Sequence, residues 1–264
     1  QNDEHYSSAH NYPYFRLAGE DLRAIPLQVD PPEHGKYRKF LEPWFTPKAI
    51  MGLEPRIRGV VTELIDSFID KGACDASYDF SRVYPVRVFM EVMGFPAEVF
   101  EDFLAWSHPM HFETHDPDRM NWGTRNALAY LRSFVADLRR QPGEGLASAI
   151  VHGEIEGKPL TDDEIIGMLF FIWDGGMDTV AATSSLIFRR LALDPGLQQQ
   201  LRECGNQMPN AIEEFLRMNP TVNTARTAKV DHMLEGHAIK AGDRLFCVAA
   251  CGNFDPDKYE DPRT

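Results

Sequence analysis

No apolar run in this sequence approaches the ~20 residues that a membrane-spanning helix needs. The longest, Ile165 to Trp173, is interrupted by Gly167. The opening QNDEHYSSAH lacks the basic stretch and apolar core of an export signal. Cysteine is scarce: the four residues Cys74, Cys204, Cys247 and Cys251 include no Cys-x-x-Cys pair, which excludes a dense disulfide framework and a zinc knuckle. Cys247 and Cys251, with His232 and His237 upstream, are the one grouping that resembles a metal cluster. Their apolar, strand-like setting reads instead as two buried core cysteines. Positive charge is also short, with 27 Lys and Arg against 40 Asp and Glu for a net charge of −13, so phosphate backbones and anionic lipid are repelled. We expect no nucleic acid partner, no membrane and a cytoplasmic location. With 43% hydrophobic and 25% charged residues and no repeat, low-complexity tract or linker, positions 1–264 read as a single globular domain. From the absent initiator Met and the abrupt stop at Asp261-Pro262-Arg263-Thr264 we expect it to be a piece of something longer.

What the chain does have is helical periodicity with proper stops. Asp30 before Pro31-Pro32 predicts an N-cap and a helix to about Phe45, and Thr46-Pro47 predicts a short restart. Leu53, Ile57, Val60, Val61, Leu64, Ile65 and Phe68 recur on one face up to Gly72. Similar patterns cover 84–93, 97–107 and 121–140. Thr161 and Glu164 form a capping box that opens a helix of about thirty residues, ending near Asp194-Pro195. A further helix carries Ile212 to Met218 and stops at Pro220. Only then do strands follow, Thr224 to Val230 and Leu245 to Ala250.

The long helix is apolar all round at Phe170-Phe171-Ile172-Trp173, so other helices must cover it. Gly175-Gly176 then removes side-chain bulk, Thr179 can bond a carbonyl one turn back, and Asp178 sets a titratable group beside it. Composition alone also allows a kinked core helix with no chemistry. His34 and Arg38 are i and i+4, able to grip one carboxylate or to form a solvated basic face. Glu214 and Arg217 are i and i+3, a common ion-pair spacing.

Taken in order, these segments resemble the cytochrome P450 superfamily, the haem-thiolate monooxygenases. Asp30-Pro31-Pro32-Glu33-His34 with Arg38 is similar to that family's C-helix entry, Gly175-Gly176-Met177-Asp178-Thr179 to its oxygen-binding I-helix, and Glu214-Phe215-Leu216-Arg217 to its K-helix Glu-x-x-Arg. Arg226 and Asn253-Phe254-Asp255-Pro256 fit the segment that follows. Asp-Pro-Pro-Glu and Tyr84 to Met90 look most like the soluble bacterial members, particularly the camphor-hydroxylase branch.

The resemblance implies a mainly α fold, the family's helical prism with small β-sheets, here lacking N-terminal and C-terminal parts. It implies haem b, a small apolar terpenoid-like substrate, dioxygen, and two electrons from a 2Fe-2S ferredoxin with its reductase. His34, Arg38 and Arg226 become propionate donors, and Gly175 and Gly176 the room beside the porphyrin. Thr179 and Asp178 become the catalytic pair that places protons, while Glu214 and Arg217 are structural. Leu22, Phe171 and Asp174 fall on the substrate pocket, with Leu22 where camphor hydroxylase has its ketone-binding tyrosine and Asp174 where it has an apolar residue. Asp174 then either turns to a partner or accepts a hydrogen bond from substrate. Lys36 and Lys39 would give the ferredoxin a positive patch. The axial cysteine belongs to a Phe-x-x-Gly-x-x-x-Cys-x-Gly loop downstream of Thr264, since Cys251-Gly252 lies too early. That gap leaves room for another reading, a haem-less helical binding or sensor protein derived from this fold.

Overall fold

The structure, a computed structural model, describes residues 4–263. Its central helix starts where the capping box places it. Thr161 Oγ1 accepts from the Glu164 amide at 3.3 Å, and the Glu164 carboxylate accepts from the Thr161 amide at 2.7 Å. In chain order the helices are α1 (Tyr14–Leu17), α2 (Glu33–Leu41), α3 (Pro47–Ile69), α4 (Val83–Met93), α5 (Phe100–Phe112) and α6 (Pro117–Arg140). They continue with α7 (Leu146–Val151), α8 (Asp162–Met177), α9 (Thr179–Leu193), α10 (Pro195–Glu203), α11 (Met208–Met218) and α12 (Ala249–Asn253). Strands β1 (Tyr6–Ser7), β4 (Thr224–Ala228) and β7 (Arg244–Cys247) form an antiparallel sheet in the order β1-β4-β7, with Tyr6 opposite Ala228 and Arg226 opposite Leu245. Two hairpins complete the strands: β2 (Glu154–Ile155) with β3 (Lys158–Pro159), and β5 (His232–Leu234) with β6 (His237–Ile239).

The core gathers around α8. Ile165, Met168, Leu169, Phe170 and Trp173 are fully buried among Phe15, Phe103, Met110 and Leu131 from the N-terminal segment, α5 and α6. Trp173 packs at a steep angle on Phe103 with ring centroids 5.7 Å apart, which fixes the roll of α8 against α5.

Several expectations need correction. Asp30 does not cap α2: Pro32 holds the cap position, and the Asp30 carboxylate instead accepts from the Ser8 amide and hydroxyl, tying the N-terminal segment down. The short restart and the amphipathic helix are one helix, α3, capped by Thr46 and running through Pro55, because burying the Val60 and Leu64 face outweighs one lost hydrogen bond. Cys247 and Cys251 are exposed rather than buried, since β7 and α12 lie at the margin of the described core, and no metal-holding cluster occurs among the described residues. By length and composition, Asp162–Leu193 is after all long and apolar enough to cross a membrane. Half of its most apolar stretch is buried inside the protein, as befits a core helix.

At Gly167 the N-terminal segment lies close against α8. A Cβ there would meet the Arg23 carbonyl at 2.2 Å. Gly167→Ala is therefore expected to cost about 1–3 kcal/mol. Gly59→Ala, on α3 with nothing within 4 Å of a new Cβ, is expected to add up to about 1 kcal/mol. Urea unfolding of the two variants beside the parent checks both signs.

Candidate functional site

One face of α8 is not core. Trp173, Asp174 and Met177 are buried, whereas Phe171 and Ile172 are half-buried and Gly175 is exposed. A Cβ at Gly175 would meet nothing within 4 Å. Gly176 differs: a Cβ there would lie 2.5 Å from the Phe89 ring, so its missing side chain admits α4 rather than opening a space. Phe171 and Ile172 border a cavity of about 730 Å³ whose other wall carries Pro26 and, from α2, Arg38 and Lys39. An apolar strip in mid-helix thus faces a cavity whose wall carries Arg38 and Lys39 together with Glu42.

Arg38 is exposed and has no ion pair among the described residues. His34, one turn earlier on α2, is half-buried and does not line that cavity. Arg226 is half-buried on β4, where its Nη1 donates to the Ala225 carbonyl at 2.7 Å, and it has no carboxylate partner among the described residues. Leu22 is half-buried and packs against the core.

The long helix breaks where the sequence placed a loosened turn. Asp178, at φ −116° and ψ −35°, separates α8 from α9. Thr179 Oγ1 donates to the Gly175 carbonyl at 2.9 Å, competing with the backbone ladder at that turn. Asp178 lines a second cavity of about 390 Å³ together with Arg82, His108, Phe112 and Met177. Asp178 thus borders a largely apolar space between α5 and the helix break, with Arg82, Ser107 and His108 among its polar neighbours.

Asp174, only 8% exposed, has turned to partners that the sequence did not announce. Tyr12 OH donates to Asp174 Oδ2 at 2.6 Å, and His111 Nε2 lies 3.2 Å from Oδ1. That second approach has ion-pair distance but not hydrogen-bond geometry, so Oδ1 lacks a hydrogen bond. His111 Nδ1 donates to the Ser107 carbonyl at 2.9 Å. Burial alone would lower the His111 pKa, but the Asp174 carboxylate, with Asp178 and the Ser107 carbonyl, raises it above its ordinary value. Burial first, and then Asp174, push the Tyr12 phenol well above its usual range, so Tyr12 stays a donor. The one signal in the sequence was Asp174 itself, a carboxylate in an apolar helix that has to find partners.

Arg217 acts as a clamp. Nε and Nη2 grip Glu214 at 2.8 and 2.6 Å, while Nη1 donates to the carbonyls of Asn253 and Pro262, each at 2.8 Å. Its guanidinium also stacks over Tyr259 at 4.9 Å. A pair with an ordinary spacing therefore anchors the last described turn of the chain to α11.

A family profile described as Cytochrome P450 matches residues 136–264. The chain is 33% identical over 261 residues to the probable cytochrome P450 127A1 of Sinorhizobium fredii, covering 97% of this chain and 62% of that relative. It is 30% identical over 246 residues to the putative cytochrome P450 YjiB of Bacillus subtilis, covering 89% of this chain and 62% of that relative. The fold superposes on crystalline CYP108D1 from Novosphingobium aromaticivorans with a TM-score of 0.86 at 26% identity, covering all of this chain and 67% of that one. The chain thus spans 62% of the length of these curated relatives.

The His111 and Asp174 pair has a pH consequence. Because folding raises the His111 pKa, its stabilising contribution is full below the ordinary value of about 6.5 and is lost as pH rises through the raised folded value. Unfolding midpoints measured from pH 6 to 9 are expected to fall across that window in the parent. In Asp174→Asn the dependence is expected to flatten.

Proposed function

The chain belongs to the cytochrome P450 superfamily, and from that premise we propose that it is the larger part of a haem-dependent monooxygenase acting on a small hydrophobic, terpenoid-like molecule. The observation that carries this reading is the strip Phe171 and Ile172 on a largely buried helix, bordering a cavity of about 730 Å³ with Arg38 on its wall, with open space at Gly175 further along the helix. The apolar helix face suits the macrocycle of haem b and Arg38 on the cavity wall suits a propionate, while Arg226 and His34 are carried over as further propionate partners from the family resemblance alone. Once bound, haem b supplies the iron at which dioxygen is reduced and one oxygen atom is inserted into a C–H bond.

The chain's own residues then have separable tasks. Gly175 leaves the helix face open, and Phe171 adds an apolar wall to the pocket. The Thr179 hydroxyl sits at the helix break and holds a proton donor there, while Asp178 takes protons from the adjoining cavity and passes them toward Thr179. Glu214 and Arg217 hold the segment beyond β7 in place. Electrons would come from an acidic 2Fe-2S ferredoxin docking on α2. Lys36 is already held by Glu156 at 2.9 Å, which leaves Lys39 and the outer part of Arg38 as the attracting charge.

The reading is tested in the complete polypeptide: reduced and exposed to carbon monoxide, it is expected to show the Soret band of a thiolate-ligated haem. A protein that takes up no haem would leave only a binding protein of the same fold. Thr179→Ala is expected to keep haem binding and NADH use but to release hydrogen peroxide in place of product. Asp178→Asn is expected to slow turnover by about a hundredfold, with a larger solvent isotope effect. The ratio of NADH consumed to product formed, measured on both variants, checks these assignments.

A further inference from the structure

Resting on that reading, we propose that Asp174, His111 and Tyr12 form a polar anchor that selects a substrate carrying a hydroxyl group over the corresponding ketone or hydrocarbon. The three groups come from distant parts of the chain: Tyr12 from the N-terminal segment, His111 from α5 and Asp174 from α8. Asp174 Oδ2 is satisfied by Tyr12, but Oδ1 is buried without a hydrogen bond. A buried carboxylate oxygen left in this state is costly, and a ligand that supplies a donor recovers the cost.

The neighbouring group completes the logic. Ser107 fixes the His111 Nδ1 proton, which turns Nε2 toward Asp174 Oδ1 at 3.2 Å. The other titratable groups facing the pair are Tyr12, Tyr14 and Asp178. With His111 protonated, Nε2 offers a donor beside an acceptor in need of one. An alcohol oxygen satisfies both at once, donating its proton to Oδ1 and accepting from Nε2–H. A ketone can only accept, so it leaves Oδ1 as it was.

The cluster adjoins the two cavities without lining either, so a ligand reaches the sealed Oδ1 once a side chain beside it moves. The His111 and Asp174 side chains retain 18% and 10% of their exposure, and the Tyr12 ring meets Phe171, which lines the larger cavity, edge-on with centroids 6.2 Å apart. On the other side, Ser107, Phe112 and Met177 border the smaller cavity next to the pair.

The experiment uses the complete, haem-loaded protein and a matched bicyclic set of one alcohol, its ketone and the parent hydrocarbon, with dissociation constants from calorimetry. The parent is expected to bind the alcohol about tenfold or more tightly than the ketone. Asp174→Asn and His111→Phe are each expected to reduce that preference to within about twofold, with hydrocarbon affinity unchanged. Thermal melts show that the variants are folded, and the His111→Phe arm stands if Asp174→Asn does not fold. A parent that binds ketone as well as alcohol, or binds none of the three, overturns the anchor, as does a preference that survives both substitutions. Loss of the thiolate-type Soret band, by contrast, would overturn the monooxygenase reading and not the anchor.

Discussion

One helix has to satisfy two incompatible demands. Asp162–Met177 is the centre of the core on one side, where Ile165, Leu169, Phe170 and Trp173 are sealed, and an open surface on the other, where Phe171, Ile172 and Gly175 face space. Burial on one side holds the helix rigid enough to present the other. The rest of the fold serves that division: α4, α5 and α6 pack the sealed face, while α2 and Pro26 wall the open one.

Charge is distributed to match. The protein carries a net charge of −13, yet Arg38 on the cavity wall and Arg226 on β4 stand without carboxylate partners among the described residues. Some other cations are tied up, Arg217 by Glu214 and two carbonyls, and Lys36 by Glu156. Behind the strip, the Asp174 carboxylate lies at ion-pair distance from His111 and accepts a hydrogen bond from Tyr12.

The sequence was informative wherever the relevant physics is local. The Thr161 and Glu164 box, the Thr46 cap, the loosened turn at Thr179 and the Glu214 to Arg217 spacing depend on neighbours within four residues, and each has its counterpart in the structure. What could not be read depends on packing partners far along the chain. Gly175 and Gly176 are indistinguishable as letters; Phe89, nearly ninety residues upstream, is what fills the space at one and not the other. Asp174 announced a need for partners without naming Tyr12 or His111, because no spacing rule connects α8 to the N-terminal segment or to α5. Asp30 misled for the same reason, since Ser8 competes successfully for the carboxylate that would have capped α2.

The most direct test of this account is haem affinity in Gly175→Leu of the complete polypeptide. Because a Cβ at this position meets no protein atom within 4 Å, the apoprotein is expected to unfold at or slightly above the parent's urea midpoint. Haem titration, followed by its absorption, is expected to show affinity reduced by about tenfold or more as the leucine occupies the space beside the helix. Unchanged haem affinity in the folded variant would contradict the claim that this open face of α8 is where the cofactor lies.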